Sequence, residues 1–491
     1  MRARSTRKKR SAPPQGLSAR LLSHVTLDAR TGEDIVAGVD SFSFGLGKFS
    51  AGAVERARDL RAGLPLRSFA SPSRTIDKEI HLLVRRLAAR GLVEYRLGRS
   101  HRKDEVVIEP QLPDYWPQMP KLRDTDALVL SRFAYMRRRA DEMVLESPRS
   151  GALFKIYHQK IAAMLATLAV PRRIKQLRQQ TGFPGVELLA LLVDCHILFK
   201  VDAAKDKGLR PTEGDGNLVL WDFHDFLFHT RSTEGRHANP VGGLYSYVDV
   251  IPSLPAVRPS WPGERIDLRQ LSAAAAEAMS PAVKLLRERH STRDFDDRHP
   301  ITLSELARFL DATARVRSTL RAPLDPDGDG GGPMLEYTVR PYPSGGASYE
   351  LELYLAVNKC EGLPRGFYHY DAGEHALVPI SVRAPEFEAL LKAAEFATGA
   401  AAAPQILITI AARFGRVSWK YGSIAYSLIL KDSGVLTQTL YLIATDMGLG
   451  GCAIGPANID LFAKMTGMDF HVEGPVGQFA LGRGATSAAL R

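Results

Sequence analysis

Five consecutive residues, Arg289-His290-Ser291-Thr292-Arg293, place two guanidiniums on either side of a hydroxyl. Arginine donates in a planar fork that matches phosphate oxygens, and a serine between the two adds a further donor. Taken alone, R-x-S-x-R suits a solvated helix end as well as a phosphate site. Two glycine runs follow. Tyr342-Pro343-Ser344-Gly345-Gly346-Ala347-Ser348-Tyr349 joins two predicted strands. Its glycines would let backbone approach a flat ligand, and their N–H groups could reach ring heteroatoms; a plain turn accounts for the run equally well. Gly448-Leu449-Gly450-Gly451-Cys452-Ala453-Ile454-Gly455 reads as another such loop, directly after a long buried helix, and Gly482-Arg483-Gly484 sets one more cation after a strand. No metal set accompanies them. His224, His229 and His237 are spaced so that no helical face gathers them, and no acidic or thiol partner completes a tetrahedral site.

Elements must hold those residues in place. From residue 265 onward, strands are predicted at 335–340, 351–357, 367–370, 406–411 and 478–481. Helices are predicted at 282–289, 303–314, 385–396, 426–447 and 459–465. The two types intermix without strict alternation, and no G-x-G-x-x-G follows a strand, so the expected class is α+β and not a doubly wound sheet. Upstream, residues 54–64 and 76–90 read as helices. Ile76, Ile80, Leu83, Val84 and Leu87 recur at helical spacing behind the capping residues Ser73-Arg74-Thr75. Strands at 92–97 and 105–108 around a basic turn complete a winged-helix pattern. It recurs as strands 143–146 and 153–157, helices 161–168, 172–180 and 186–197, and strand 199–202. Cys195, on the apolar stripe of the last helix, reads as a small core residue. The expected organisation is a disordered basic tail at 1–20 and winged-helix-like domains at 21–115 and 116–215. An aromatic-rich helix with a Pro-rich linker at 216–264 and the α+β domain at 265–491 follow.

Together and in this order, the R-x-S-x-R segment, the two glycine runs and Arg483 resemble the nitroreductase superfamily. Trp419-Lys420-Tyr421-Gly422, followed by Ser433-Gly434-Val435-Leu436-Thr437-Gln438-Thr439-Leu440-Tyr441-Leu442, is similar to the SagB-type and cyanobactin-oxidase azoline dehydrogenases of thiazole/oxazole-modified peptide biosynthesis. The resemblance implies a nitroreductase-like FMN domain. Arg289, Ser291 and Arg293 would hold the FMN phosphate and ribityl chain, with His290 beside them where many relatives have Arg, and Arg483 would add a second phosphate contact. Pro343, Ser344, Gly345 and Gly346 would line the isoalloxazine, as would Gly450 and Gly451 opposite, with Gln438 a flavin-side donor. Lys420 and Tyr421 would be the catalytic pair. Ser348 and Glu350 depart from the family pattern, which commonly has Leu and Pro there. Aromatising an azoline removes a proton from one ring carbon and a hydride from its neighbour. A phenol is a weak acid near pH 7, but a neighbouring ammonium favours the phenolate that could take the proton.

The implied substrate is an azoline-containing precursor peptide, the implied assembly a homodimer, and a cyclodehydratase an implied partner. Composition is compatible. At 45% hydrophobic and 24% charged, with no long apolar run, the chain reads as globular and non-membrane. Three scattered cysteines support neither a disulfide framework nor a zinc cluster, which with the lack of a secretory pattern suggests a reducing, cytoplasmic setting. Six of the first ten residues are Lys or Arg, so most of the net charge of +11 is not spread over the fold, and nucleic acid is disfavoured as a partner. Two alternatives stay open: a generic NAD(P)H-dependent nitro- or quinone reductase, and a flavin-linked DNA-binding regulator.

Overall fold

The structure is a computed structural model. It describes residues 16–30, 34–39, 42–65, 75–100, 103–113, 115–180, 182–201, 213, 215–238, 279–324 and 332–485, with shorter stretches between 242 and 272. The chain forms two compact units, one of residues 1–231 and 235–238, the other of 232–234 and 239–491. The disordered tail expected at 1–20 lies outside the described residues up to 15. From 16 the chain is a strand, because Leu17, Ala19 and Leu21 alternate inward at the two-residue period of a half-buried strand.

The first unit carries β1 (Gly16–Leu21), β2 (Val25–Arg30), β3 (Asp34–Val39), β4 (Phe42–Lys48), α1 (Ala51–Ala57), β5 (Leu64–Pro65), α2 (Thr75–Ala88), β6 (Val93–Ser100) and β7 (Lys103–Pro110). β8 (Ala127–Leu130), β9 (Tyr135–Arg139), β10 (Glu142–Glu146), β11 (Ala152–Ile156), α3 (Gln159–Thr167), β12 (Arg172–Arg173), α4 (Ile174–Leu177), α5 (Val186–Asp194), β13 (Leu198–Lys200) and α6 (Phe223–Ser232) follow. The two expected winged-helix domains are not seen as separate bodies. β7 pairs antiparallel with β11 across the expected boundary, giving one seven-stranded sheet in the order β5-β1-β6-β7-β11-β10-β9. A single apolar cluster runs from Leu17 to Leu198 beneath it. On α2, Ile80, Leu83, Val84 and Leu87 are buried as their spacing predicts, whereas Ile76 in the first turn is exposed. Cys195 is a core residue: its thiol contacts the Tyr115 hydroxyl at 3.3 Å and burial pushes its pKa up to about 12.

The second unit runs through α7 (Pro281–Glu288), α8 (Leu303–Thr313), β14 (Ser318–Pro323), β15 (Met334–Val339), β16 (Leu351–Val357), β17 (Gly366–Asp371), β18 (Ala376–Ile380) and α9 (Ala384–Thr398). It ends with β19 (Ile406–Arg413), α10 (Phe414–Ser418), α11 (Ala425–Asp446), β20 (Gly450–Ile454), α12 (Ile459–Thr466) and β21 (Glu473–Gly482). Its main sheet has the order β18-β17-β16-β19-β21-β20 with every pairing antiparallel, which fits the α+β class and excludes a doubly wound parallel sheet. One face, through Tyr354, Ala356, Leu407, Cys452 and Ala480, is covered by Phe387, Leu391 and Phe462 from α9 and α12. α11 packs along β20 and β21, burying Tyr426, Ile429, Leu436, Leu440 and Ala444 at helical spacing. Among the described residues no helix is long and apolar enough to cross a membrane.

Candidate active site

The phosphate-binding candidate begins where α7 stops. Ser280 caps that helix with Pro281 at its first position, and the chain leaves it at Arg289 in an extended conformation. It then zips onto the sheet edge: Thr292 N–H donates to Gly451 O at 2.8 Å, Asp296 N–H to Arg483 O at 2.9 Å, and Ala485 N–H to Asp294 O at 3.0 Å. Sequence-distant candidates at 289–293, 450–451 and 483 are thereby brought together. The Ser291 hydroxyl lies 2.9 Å from that of Tyr441 on α11, which also accepts from the Ala453 N–H at 2.8 Å, and the Arg289 guanidinium lies 5.1 Å over the Tyr441 ring. Arg289 is half-buried and Arg293 exposed, and neither forms an ion pair among the described residues. His290 is exposed, with its Nδ1 3.0 Å from Glu288 O. Arg483 differs. Its Nη2 contacts both Glu305 carboxylate oxygens at 2.7 and 2.8 Å and its Nε donates to His299 O, so a phosphate contact from Arg483 would require that ion pair to open.

The first glycine run is held by α11 as well. Asp432 Oδ2 accepts from the Ser344 hydroxyl and from the Gly345 N–H, each at 2.9 Å, and Tyr349 N–H donates to Ser344 Oγ at 3.0 Å. The Gly345 N–H, expected to be available to a ligand ring, is therefore occupied by Asp432. Pro343 is exposed at the start of the turn. Gly346 adopts φ +61°, in the left-handed region, and a Cβ placed there would collide with the Tyr421 hydroxyl and lie 2.7 Å from Lys420 Nζ. Lys420 Nζ donates to Gly346 O at 3.3 Å and lies 5.3 Å from the Tyr421 ring centre. The pair is set there by α10: both Lys420 and Tyr421 N–H groups donate to Val417 O, turning the chain at its end.

A cavity of about 260 Å³ opens beside Lys420, bounded also by Tyr337, Gly346, Ser348, Arg416 and Trp419. Arg416 braces it by donating to Ser348 O and Glu336 O. The second glycine run is not a loop as expected: Gly450–Ile454 is the edge strand β20. Its glycines answer to packing, since a Cβ on Gly450 would collide with Thr292 and one on Gly451 with the Phe479 ring. Gln438 is exposed on α11. Asp432 and Tyr441, which join the two halves of the site, were missed as site residues. Both lie on the α11 stripe, where a polar group in an apolar period was the available signal.

A protein of Methanocaldococcus jannaschii named "Putative nitroreductase MJ1384" is 31% identical over 171 residues, covering 35% of this chain and 76% of that protein. The chain belongs to the nitroreductase family. Residues 286–483 match the family model of the nitroreductases, and residues 128–238 that of the cyanobactin oxidase ThcOx. It is thus an oxidoreductase of a flavin-dependent family. Among solved structures, the microcin synthetase McbBCD complex of E. coli with truncated pro-MccB17 bound is 18% identical, with a TM-score of 0.39, over 56% of this chain and 97% of that one. A Bacteroides fragilis nitroreductase with bound FMN is 15% identical, with a TM-score of 0.26, over 43% and 93% of the two chains.

Proposed function

We propose that this nitroreductase is an FMN-dependent dehydrogenase that oxidises thiazolines or oxazolines in a precursor peptide to thiazoles or oxazoles. The observation that carries the reading is the convergence of Lys420 Nζ and the Tyr421 hydroxyl over Gly346, beside a cavity large enough for a small heterocycle. The residues fit a flavin mononucleotide. Arg289 and Arg293, free of carboxylates among the described residues, and Ser291 offer donors for a phosphate. Ser344–Gly346 offers a close backbone approach about two and a half helical turns away. Asp432 and Tyr441 are nine residues apart on α11, a rise of about 13 Å, which suits a ligand with a ring at one end and a phosphate at the other.

Bound FMN would supply the hydride acceptor. The chain supplies the proton acceptor: the Tyr421 phenolate, favoured by the Lys420 ammonium beside it, takes the proton from the neighbouring ring carbon and becomes a phenol. The first unit, whose second half matches the cyanobactin oxidase model, serves peptide recognition, with a sheet edge accepting the extended leader as an added strand. A homodimer, a cyclodehydratase partner and a cytoplasmic setting complete the proposal. Incubating the FMN-loaded protein with an azoline peptide and an electron acceptor should remove two hydrogens per ring, read by mass spectrometry. An unchanged peptide mass with a fully flavinated protein would refute the azoline reading. The name of the Methanocaldococcus relative favours a second one, a generic nitro- or quinone reductase, which predicts rapid turnover with NAD(P)H instead.

A further inference from the structure

One residue under the flavin loop departs from the family pattern and is fully buried: Glu350, at 0% exposure. Its Oε2 lies 3.3 Å from the Ser344 hydroxyl oxygen, and its Oε1 is buried with no hydrogen-bond partner. The same hydroxyl stands 2.9 Å from Asp432 Oδ2, itself 6% exposed as a residue, which also accepts from the Gly345 N–H. A hydroxyl has one hydrogen and two lone pairs. One of those lone pairs takes the Tyr349 N–H. Serving Asp432 with its single hydrogen, Ser344 then faces Glu350 with only a lone pair. Two ionised carboxylates compete there for one hydroxyl hydrogen, whereas one added proton resolves the competition: the Glu350 O–H donates to Ser344 Oγ, and Ser344 O–H donates to Asp432.

We propose that Glu350 is held as a neutral acid and, through Ser344, forms with the Asp432 carboxylate a one-proton relay that fixes the Ser344–Gly345 backbone where the flavin docks. Glu350 is thereby a positioning residue, and the inference rests on the reading of residues 344–346 as a flavin loop. The groups facing it are few. Asp432 faces it from α11, and Tyr342, on the turn into β16, is a buried phenol whose pKa burial pushes further up, so it adds no charge. Arg413 meets it only through backbone, its N–H donating to Glu350 O. Lys420 and Tyr421 stand over Gly346 instead. Burial, opposed by a hydrogen bond from its own backbone and reinforced by the Asp432 charge, pushes the Glu350 carboxyl up to about 7. The sign follows. A carboxyl raised in the folded state binds its proton below that value, so the relay is complete below about pH 7 and broken above it, when two buried like charges face one hydroxyl.

The test is the FMN dissociation constant of the full chain, read by quenching of flavin fluorescence from about pH 5.5 to about pH 8.5, a span bracketing the shifted carboxyl. In the wild-type chain affinity should be flat below neutrality and weaken above it, by up to about tenfold per pH unit. Glu350→Gln, whose amide N–H also donates to Ser344, should bind with the wild-type low-pH affinity across the whole span. Asp432→Asn should bind more weakly throughout. Infrared spectra of the flavin-free protein supply an independent readout, a protonated-carboxyl band below neutrality that is lost in Glu350→Gln. A flat wild-type profile, or a Glu350→Gln profile that keeps the wild-type slope, overturns the proposal, and the wild-type profile suffices if a variant does not fold. Failure to bind FMN at any pH overturns the reading of the loop itself, while the carboxyl band still decides whether the proton is there.

Discussion

Tyr421 and Lys420 differ from the other candidates in that the backbone opposite them has no room for a side chain. Gly346→Ala should therefore do two things. It places a Cβ where the Tyr421 hydroxyl stands, and it forces a non-glycine residue into φ +61°, at a cost of about 1–2 kcal/mol. The expected outcome is a folded protein with a lower melting temperature and a large loss of turnover; an unchanged rate would mean that Tyr421 is not poised over this loop during catalysis. Tyr421→Phe and Lys420→Ala test the chemistry more narrowly. Each should leave flavin content intact and slow azoline oxidation about 10²–10⁴-fold, the range for losing general base catalysis. The double variant should be scarcely worse than either single one, because the two act as a unit. Near-normal peptide oxidation in both would make Lys420 an exposed lysine and Tyr421 a packing residue.

At the scale of elements, α11 is the beam of the site: it anchors the glycine turn through Asp432 and the phosphate segment through Tyr441. Tyr441→Phe removes the oxygen that accepts from the Ala453 N–H and contacts Ser291, and so unfastens the phosphate segment from α11. FMN affinity measured by fluorescence should fall about tenfold or more, with the azoline rate at saturating flavin nearly preserved. The longer helices were readable beforehand, since α2, α8, α9, α11 and α12 carry periodic apolar stripes, whereas the five-residue α10 was missed and the helix expected at 172–180 shrinks to α4. β20 was not: Gly450-Gly451 shows no alternation of large side chains, and its strand state comes from pairing with β21. β2–β4 were missed although β2 (VTLDAR) and β4 (FSFGLGK) do alternate large and small or polar residues, because the glycines of β4 and the short spans made the segment look like turn. Register could not be foreseen either, and it is register that merges the two expected winged-helix domains by setting Pro110 opposite Ala152. The Lys420–Tyr421 pair was nominated by the resemblance of Trp419–Gly422 and the segment after it to the azoline dehydrogenases, not by spacing or periodicity. Asp432 and Tyr441 were missed because their partners lie far away along the chain.

At the scale of the whole molecule, the chain divides into an oxidoreductase unit and a unit with its own sheet and core. A shortened chain beginning at residue 239 should keep its FMN and lose affinity for leader-bearing peptide, measured by fluorescence anisotropy; equal affinity would give the first unit another task. Light scattering of the full chain should return the mass of the proposed homodimer, and a fully flavinated monomer would contradict that part of the proposal. The most direct test of the central claim is a single turnover without oxygen, in which FMN-loaded protein is mixed with an azoline peptide and the flavin absorbance is followed. The proposal predicts bleaching coupled one-to-one to azole formation and slowed about 10²–10⁴-fold in Tyr421→Phe, with reduction by dithionite unchanged. A flavin that stays oxidised with the azoline peptide but bleaches promptly with NADPH would contradict it.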